Sequence, residues 1–207
     1  MKKFLKIVGI FVLIFIVIIA LNVFSLMKKG NKSTLHASEE EIEEAVGQMG
    51  DGIMDGGFYL DGKVYQLPVT VADMAESGWL IEETLNMKYE KFPANTVTNS
   101  MNVHNSNDKQ KIISVVLINP YEEEQALDDV FIEHLSMGTF TANKVVLPQG
   151  ITWKSTLEEV KKAYGEPAKE SGDSLVYEDE IWQITIRFNT GESGKTTMSD
   201  VSYRLKD

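Results

Sequence analysis

Apolar and polar side chains alternate over eight consecutive residues, Trp182-Gln183-Ile184-Thr185-Ile186-Arg187-Phe188-Asn189. The run Val201-Ser202-Tyr203-Arg204-Leu205-Lys206 shows the same alternation. A period of two places successive side chains on opposite faces of a β-strand. We therefore predict two strands of an antiparallel sheet that has one apolar face and one wet face.

A short amphipathic helix is predicted before these strands. A hydroxyl cap at Ser155-Thr156 is followed three residues later by an acid, and Gly165 ends the helix. Leu157, Val160 and Tyr164 share one side of that helix by their spacing. Because one helical stripe and one sheet face can bury each other, the pattern predicts an α+β fold with a short helix packed on an antiparallel sheet.

The same order of signals occurs earlier in the chain. Leu67-Pro68 precedes a helix capped by Thr70, just as Leu147-Pro148 precedes the later helix. We interpret this as two related α+β units, one over residues 39–119 and one over 120–207.

Local patterns predict the remaining elements. Ser38 and Glu41 form a capping box, which starts a helix over about residues 39–49. Asp61-Gly62 lies between two β-rich runs and predicts a hairpin, because both turn residues require positive φ. Four more strands are predicted at Leu175–Tyr177, Val97–Val103, Ile112–Ile118 and Leu127–Leu135.

An uncharged apolar run extends from Ile7 to Met27 and has lysines on both sides. As a helix it would be about 31 Å long, which matches the hydrocarbon core of a bilayer. We predict a cytoplasmic tail at residues 1–6, a transmembrane anchor at 7–27 and a tether at 28–38. The predicted membrane-anchor residues are Ile7, Ile10, Phe11, Leu13, Phe15, Ile18, Leu21, Phe24 and Leu26.

Two alternatives to an anchor are a cleaved signal peptide and a buried core helix, and a core helix is disfavoured because the run is apolar on all sides. A cleaved signal peptide would have a shorter apolar core, and Leu35-His36-Ala37, which resembles a cleavage site, lies well beyond the apolar run. The lysine counts give almost no preference for either orientation in the membrane, because three lysines lie on each side of the run. The short tail favours a body outside the membrane, so the expected location is a single-pass protein of the cell membrane with an extracytoplasmic body.

Charge is distributed unevenly along the chain. All 31 acidic residues lie from Glu39 onward, together with 14 of the 20 basic residues, so the body carries a net charge of −17. This balance argues against nucleic acid as a partner and favours a basic protein or peptide. The absence of cysteine excludes disulfides and thiolate chemistry.

Motif searches identify no catalytic or cofactor site. Asn189 to Thr196 resembles a phosphate-binding loop, but Asn189 replaces the first required glycine and a strand follows, which predicts a hairpin loop. His36, His104 and His134 lack the spacing of a zinc site. No cofactor or metal is expected. The candidate partner surface comprises Trp153, Glu122, Glu123 and Glu124.

The segment from Leu147 to Pro167 resembles exported Gram-positive proteins of unassigned function, in which a Leu-Pro-x-Gly-Ile segment leads to a short helix and Tyr-Gly-x-Pro. Its helix-then-strands order is also similar to small outer-membrane-assembly lipoproteins and β-lactamase inhibitor proteins. The resemblance implies a short helical layer on an antiparallel sheet and a role in binding proteins rather than in catalysis. The chain lacks the lipid-attachment cysteine of those lipoproteins.

Three functions are compatible with these patterns. The first is a membrane-anchored extracytoplasmic binding protein of the cell envelope, with no catalysis. The second is an envelope hydrolase that uses a carboxylate pair between the two units. The third is an immunity-type protein whose acidic face masks a basic toxin.

Overall fold

The computed structural model describes residues 35–85, 91–191 and 194–206. Three of the described helices begin with a capping box, in which a hydroxyl accepts from a backbone amide and an acid three residues later returns the bond. These boxes confirm the predicted helix starts at Ser38, Thr70 and Thr156. The helices are α1 (Glu39–Val46), α2 (Val71–Ala75), α3 (Ile81–Leu85) and α4 (Leu157–Tyr164).

The described strands form two antiparallel sheets. In chain order they are β1 (Gly57–Leu60), β2 (Lys63–Gln66), β3 (Thr96–Val97), β4 (Met101–His104), β5 (Ile112–Asn119), β6 (Phe131–Gly138), β7 (Val145–Leu147), β8 (Ile151–Thr152), β9 (Lys169–Ser171), β10 (Ser174–Glu178), β11 (Trp182–Thr190) and β12 (Thr196–Leu205). The small sheet has the order β2-β1-β7-β8. The large sheet has eight strands in the order β3-β5-β6-β12-β11-β10-β9, with β4 also paired to β5.

The two sheets pack face to face. The ring of Phe58 on β1 stacks on the ring of Tyr203 on β12, with 5.0 Å between centroids, and both residues are buried. On its other side, the small sheet packs against α1 through a cluster of Ala45, Tyr59 and Val146. The layers are therefore a helix, the small sheet, a shared apolar core and the large sheet.

The described residues from Leu35 onward form one compact unit, which corrects the expected division at residues 119 and 120. β5, from the first predicted unit, pairs directly with β6, from the second, and β6 pairs with β12. Buried residues from both halves also belong to one core cluster. The repeated helix signals were local, whereas the sheet that joins the halves is formed by pairing over long sequence distances.

Most predicted local elements are confirmed, and two strands differ. Asp61 and Gly62 have φ values of 51° and 110°, as the predicted hairpin requires. The run 97–103 is split into β3 and β4, because the pairing with β5 shifts by one residue between the Val97–Ile118 and Met101–Val115 pairs. The run 127–135 begins with a 3-10 turn at Leu127–Asp129 before β6. β11 and β12 are adjacent antiparallel strands, so the loop that resembles a phosphate-binding loop leads into a strand.

Candidate functional site

The large sheet has a buried face and an open face. Trp182, Ile184 and Ile186 on β11 belong to the buried face, as the alternation predicted. Side chains of the open face are partly or fully exposed and line up in cross-strand rows. One row is Val116, His134, Arg204 and Gln183, and the next is Ser114, Ser136, Ser202 and Thr185.

An apolar cleft lies at one end of this sheet, where Trp182 pairs with Leu205 and Ile118 pairs with Phe131. We call this the cleft end. The cleft has a volume of about 200 Å³ and an almost wholly apolar lining of Pro68, Ile118, Pro120, Phe131, Ile132, Trp182 and Leu205. Large apolar side chains are exposed around it, with Val97 at 55%, Tyr121 at 49% and Ile181 at 57%. Exposed apolar surface around a concave site is typical of a binding surface.

A more polar groove adjoins the apolar cleft and shares Ile118 and Leu205 with it. The groove has a volume of about 530 Å³ and crosses the open face beside His134 and Arg204. The Arg204 Nε atom lies 3.4 Å from the Glu133 Oε1 atom, so this guanidinium is partly neutralised. Burial lowers the pKa of His134, an effect that Arg204 reinforces and Glu133 opposes.

Two acidic turns adjoin the cleft. The first is the segment Tyr121–Glu124, which follows the lining residue Pro120 and exposes Glu122, Glu123 and Glu124. The second is the segment Glu178–Ile181, which precedes the lining residue Trp182 and exposes three acids. We call these the first and second acidic turns. Together they place exposed acidic side chains on two segments next to the cleft.

Hydrogen bonds fix the second acidic turn. The Asp179 Oδ1 atom accepts from the amides of Trp182 and Ile181, each at 2.7 Å, and these bonds hold the pKa of Asp179 below its ordinary value. The Lys206 ammonium donates to the Asp179 carbonyl at 2.7 Å and lies 3.8 Å from the Glu178 carboxylate. The turn is thus held in one conformation while its acids remain exposed.

Of the predicted surface residues, the three glutamates are exposed beside the cleft, whereas Trp153 is not at the surface. Only 2% of Trp153 is exposed, and its indole Nε1 donates to the Asn143 carbonyl at 2.7 Å. The expectation for Trp153 was therefore wrong. An indole that finds an internal acceptor can be buried at little cost.

A second polar cluster links α1 with the small sheet. The Lys144 ammonium contacts both Glu41 carboxylate oxygens at 2.8 and 2.9 Å, and the Tyr59 hydroxyl donates to Glu41 at 3.1 Å. Nearby, Asp61 forms an ion pair with Lys111 at 2.8 Å and accepts the Lys144 amide at 2.9 Å. Burial raises the pKa of Asp61. Because a lysine neutralises each carboxylate, we assign the cluster to structural ion pairing.

The predicted anchor residues 7–27 lie outside the described residues. Within the described ranges, no helix combines the length and apolar character needed to cross a membrane. The same ranges contain no group of three or more histidine, aspartate or glutamate side chains placed to hold a metal ion.

Sequence reasoning missed the apolar cleft, because its lining comes from five separate parts of the chain. One local signal pointed to it: Ile181 follows three acids in a turn, where an apolar residue has no core to enter. Comparison with protein-family models, curated proteins and solved structures finds no match to this chain.

Proposed function

We propose that this chain is a membrane-anchored, extracytoplasmic binding protein of the cell envelope. In this proposal the apolar cleft binds a segment of a protein or peptide partner that carries an apolar side chain next to basic residues. The observation that carries it is the position of an apolar cleft beside two exposed acidic turns. The proposal assigns no reaction to the chain.

The dimensions of the cleft favour a peptide side chain as its occupant. Pockets that enclose a drug-sized ligand have volumes of about 300–1,000 Å³. At about 200 Å³, the cleft is smaller and can accept one large apolar side chain. Desolvation of such an anchor in a pocket dominates the energy of many protein interfaces. Tyr121 and Ile181 would then cover the edge of the bound side chain.

Charge would select the residues next to the anchor. The two acidic turns present exposed carboxylates on segments that adjoin the cleft, and the body carries a net charge of −17. Such complementarity accelerates association with basic segments and disfavours acidic ones, although each exposed pair adds little affinity. The expected partner is therefore a segment with lysine or arginine flanking an aliphatic or aromatic residue.

The proposed location rests on the sequence of residues 1–34. The run Ile7 to Met27 has the length and apolar composition for a membrane span, and lysines on both sides can reach the headgroups. If the body lies outside the membrane, we expect protease added to intact protoplasts to degrade it. Protection of the body under those conditions would contradict the proposed orientation.

A random library of 12-residue peptides, selected against the full chain in nanodiscs, tests the binding role. Enriched peptides should combine one large apolar residue with neighbouring lysine or arginine. The double variant Tyr121→Ser/Ile181→Ser should bind them about tenfold more weakly. Phe140→Ser is the matched control, with the affinities of both variants measured in detergent rather than in a bilayer, because it removes an exposed apolar side chain from another part of the surface. Failure to enrich such peptides, or an equal loss in the control, would contradict the role.

A further inference from the structure

Phe140 is the most exposed large apolar side chain in the described part of the chain, with 89% of its surface in contact with solvent. It lies in a 3-10 turn at Thr139–Thr141 that directly follows β6. An isolated, exposed apolar residue is common on proteins and needs no explanation by itself. What distinguishes Phe140 is the structure that holds it and its place in the fold.

Hydrogen bonds, including those of a buried asparagine, hold the turn that carries Phe140 in place. The Thr141 hydroxyl donates to the Gly138 carbonyl at 2.8 Å. The fully buried Asn143 side chain donates to the Thr141 hydroxyl at 3.0 Å and to the Ile112 carbonyl at 2.6 Å. The Trp153 indole in turn holds the Asn143 carbonyl. The phenyl ring therefore projects into solvent from a turn that hydrogen bonds hold in one conformation.

Phe140 lies at the end of the large sheet opposite the cleft end. Gly138 pairs with Asp200 there, four residues along β12 from the Arg204–His134 pair. Phe140 also lines a shallow pocket of about 220 Å³ together with Leu35 and His36, the first described residues. The chain thus enters the folded body next to Phe140, and the exposed Lys154 follows the pocket residue Trp153.

We propose that Phe140 is a membrane-contact residue that inserts at the boundary between headgroups and acyl chains of the bilayer. The inference rests on the proposed anchor at residues 7–27. Seven residues, 28–34, separate that run from Leu35, and a fully extended chain of this length reaches only about 25 Å. The end of the body that contains Leu35 and Phe140 is therefore kept close to the bilayer.

The bilayer fits this position better than a soluble partner does. An aromatic side chain that is buried only a few ångströms into the interface can orient a body that a helix already anchors. The single exposed Lys154 at the same end can place its ammonium at the level of the headgroups. With Phe140 at the lipid, the apolar cleft at the opposite end of the sheet faces away from the membrane and stays accessible to a partner.

Spin labelling of the full chain tests this contact. The chain has no cysteine, so Phe140→Cys and the matched control Ile181→Cys each accept one nitroxide label. Ile181 is suitable because it is also an exposed apolar residue but lies at the cleft end. Each labelled chain is reconstituted in nanodiscs of phosphatidylcholine and phosphatidylglycerol, and collisions with oxygen and with a water-soluble nickel chelate are measured.

The quantity compared is the ratio of oxygen accessibility to nickel-chelate accessibility at each label. We expect this ratio to be about threefold higher, or more, at position 140 than at position 181. Equal accessibility to nickel at both positions would overturn the inference. Protection of position 140 from both reagents would also overturn it, because it would indicate a contact with protein, including a second copy. A chain that does not enter nanodiscs overturns the anchor and this inference together, whereas peptide binding at the cleft would be unaffected.

Discussion

The side-chain amide of Asn119 donates a hydrogen bond to the main-chain carbonyl of Glu123 over 2.9 Å, which holds the first acidic turn against the end of β5. The same amide donates to the Pro93 carbonyl at 3.0 Å, and the Asn119 Oδ1 atom accepts the Tyr121 amide at 3.1 Å. Asn119 is only 1% exposed. One buried side chain thus sets the conformation of the turn that presents the three glutamates.

Replacement of this residue should lower stability. Asn119→Ala leaves the Pro93 and Glu123 carbonyls and the Tyr121 amide without their buried partner, so we expect the free energy of unfolding to fall by about 2–3 kcal/mol. Urea denaturation followed by circular dichroism measures the change. Asn102→Ala, at an exposed position on β4, is the control. A loss no larger than that of the control would refute the bracing role of Asn119.

The cap of α4 provides a second prediction. The Thr156 hydroxyl accepts the Glu159 amide at 3.2 Å, and the Glu159 carboxylate accepts the Thr156 amide at 2.8 Å. Thr156→Ala should cost about 1 kcal/mol in free energy of unfolding, whereas Thr156→Ser keeps the hydroxyl and should cost less. Urea denaturation of both variants makes the comparison. Equal losses would show that the hydroxyl is not the stabilising group.

These capping boxes also show what the sequence could predict. A cap, a turn of Asp61-Gly62 and an alternating strand such as Trp182–Asn189 each depend on neighbours in the chain, so the local pattern was sufficient. The pairing of β5 with β6 and the packing of Phe58 on Tyr203 depend on residues far apart in sequence. For this reason the two predicted units proved to be one.

The candidate site shows the same limit. Glu122 to Glu124 could be recognised as a surface from their charge alone, and they are exposed. The position of Trp153 just before the capped helix suggested exposure, but the Asn143 carbonyl ten residues away provides an internal acceptor for its indole. The lining of the cleft could not be predicted, because Pro68, Phe131 and Leu205 meet only in the folded chain.

The half-buried Tyr164 and the buried Tyr203 should respond differently to loss of their hydroxyl groups. The Tyr164 hydroxyl donates to the Pro148 carbonyl at 2.7 Å. The Tyr203 hydroxyl is buried and has no hydrogen-bond partner among the described residues. Tyr164→Phe should therefore lower the free energy of unfolding by about 1 kcal/mol, and Tyr203→Phe should leave it unchanged or raise it. Thermal and urea denaturation of both variants measure these changes. A larger loss for Tyr203→Phe than for Tyr164→Phe would contradict the structure.

The ion pair between Glu41 and Lys144 predicts a dependence of stability on pH. Burial alone would raise the pKa of Glu41, but hydrogen bonds from Lys144, the Ser38 amide and Tyr59 lower it from 4.5 to about 2. Because the folded state favours the ionised form, this stabilisation is complete above pH 4.5 and is lost as the pH falls towards 2.

Glu41→Gln tests this linkage. At pH 7 the variant should be less stable than the wild type by about 1 kcal/mol, a value reduced by solvent screening of the partly exposed carboxylate. The difference should shrink as the pH falls through the interval from 4.5 to 2. Urea unfolding at several pH values measures it, with Glu43→Gln as the control for removing one charge from α1. A difference that stays constant with pH would rule out the ion pair as its source.

The most direct test of the proposed function compares two triple variants that lose the same charge. Glu122→Gln/Glu123→Gln/Glu124→Gln neutralises the first acidic turn, and Glu39→Gln/Glu40→Gln/Glu43→Gln neutralises exposed acids of α1. Calorimetric titration measures the affinity of each for a selected basic, apolar peptide. We predict that the turn variant binds about tenfold more weakly than the wild type, a loss of about 1.4 kcal/mol, while the α1 variant binds nearly normally. Equal affinity of the two triple variants would contradict the proposal.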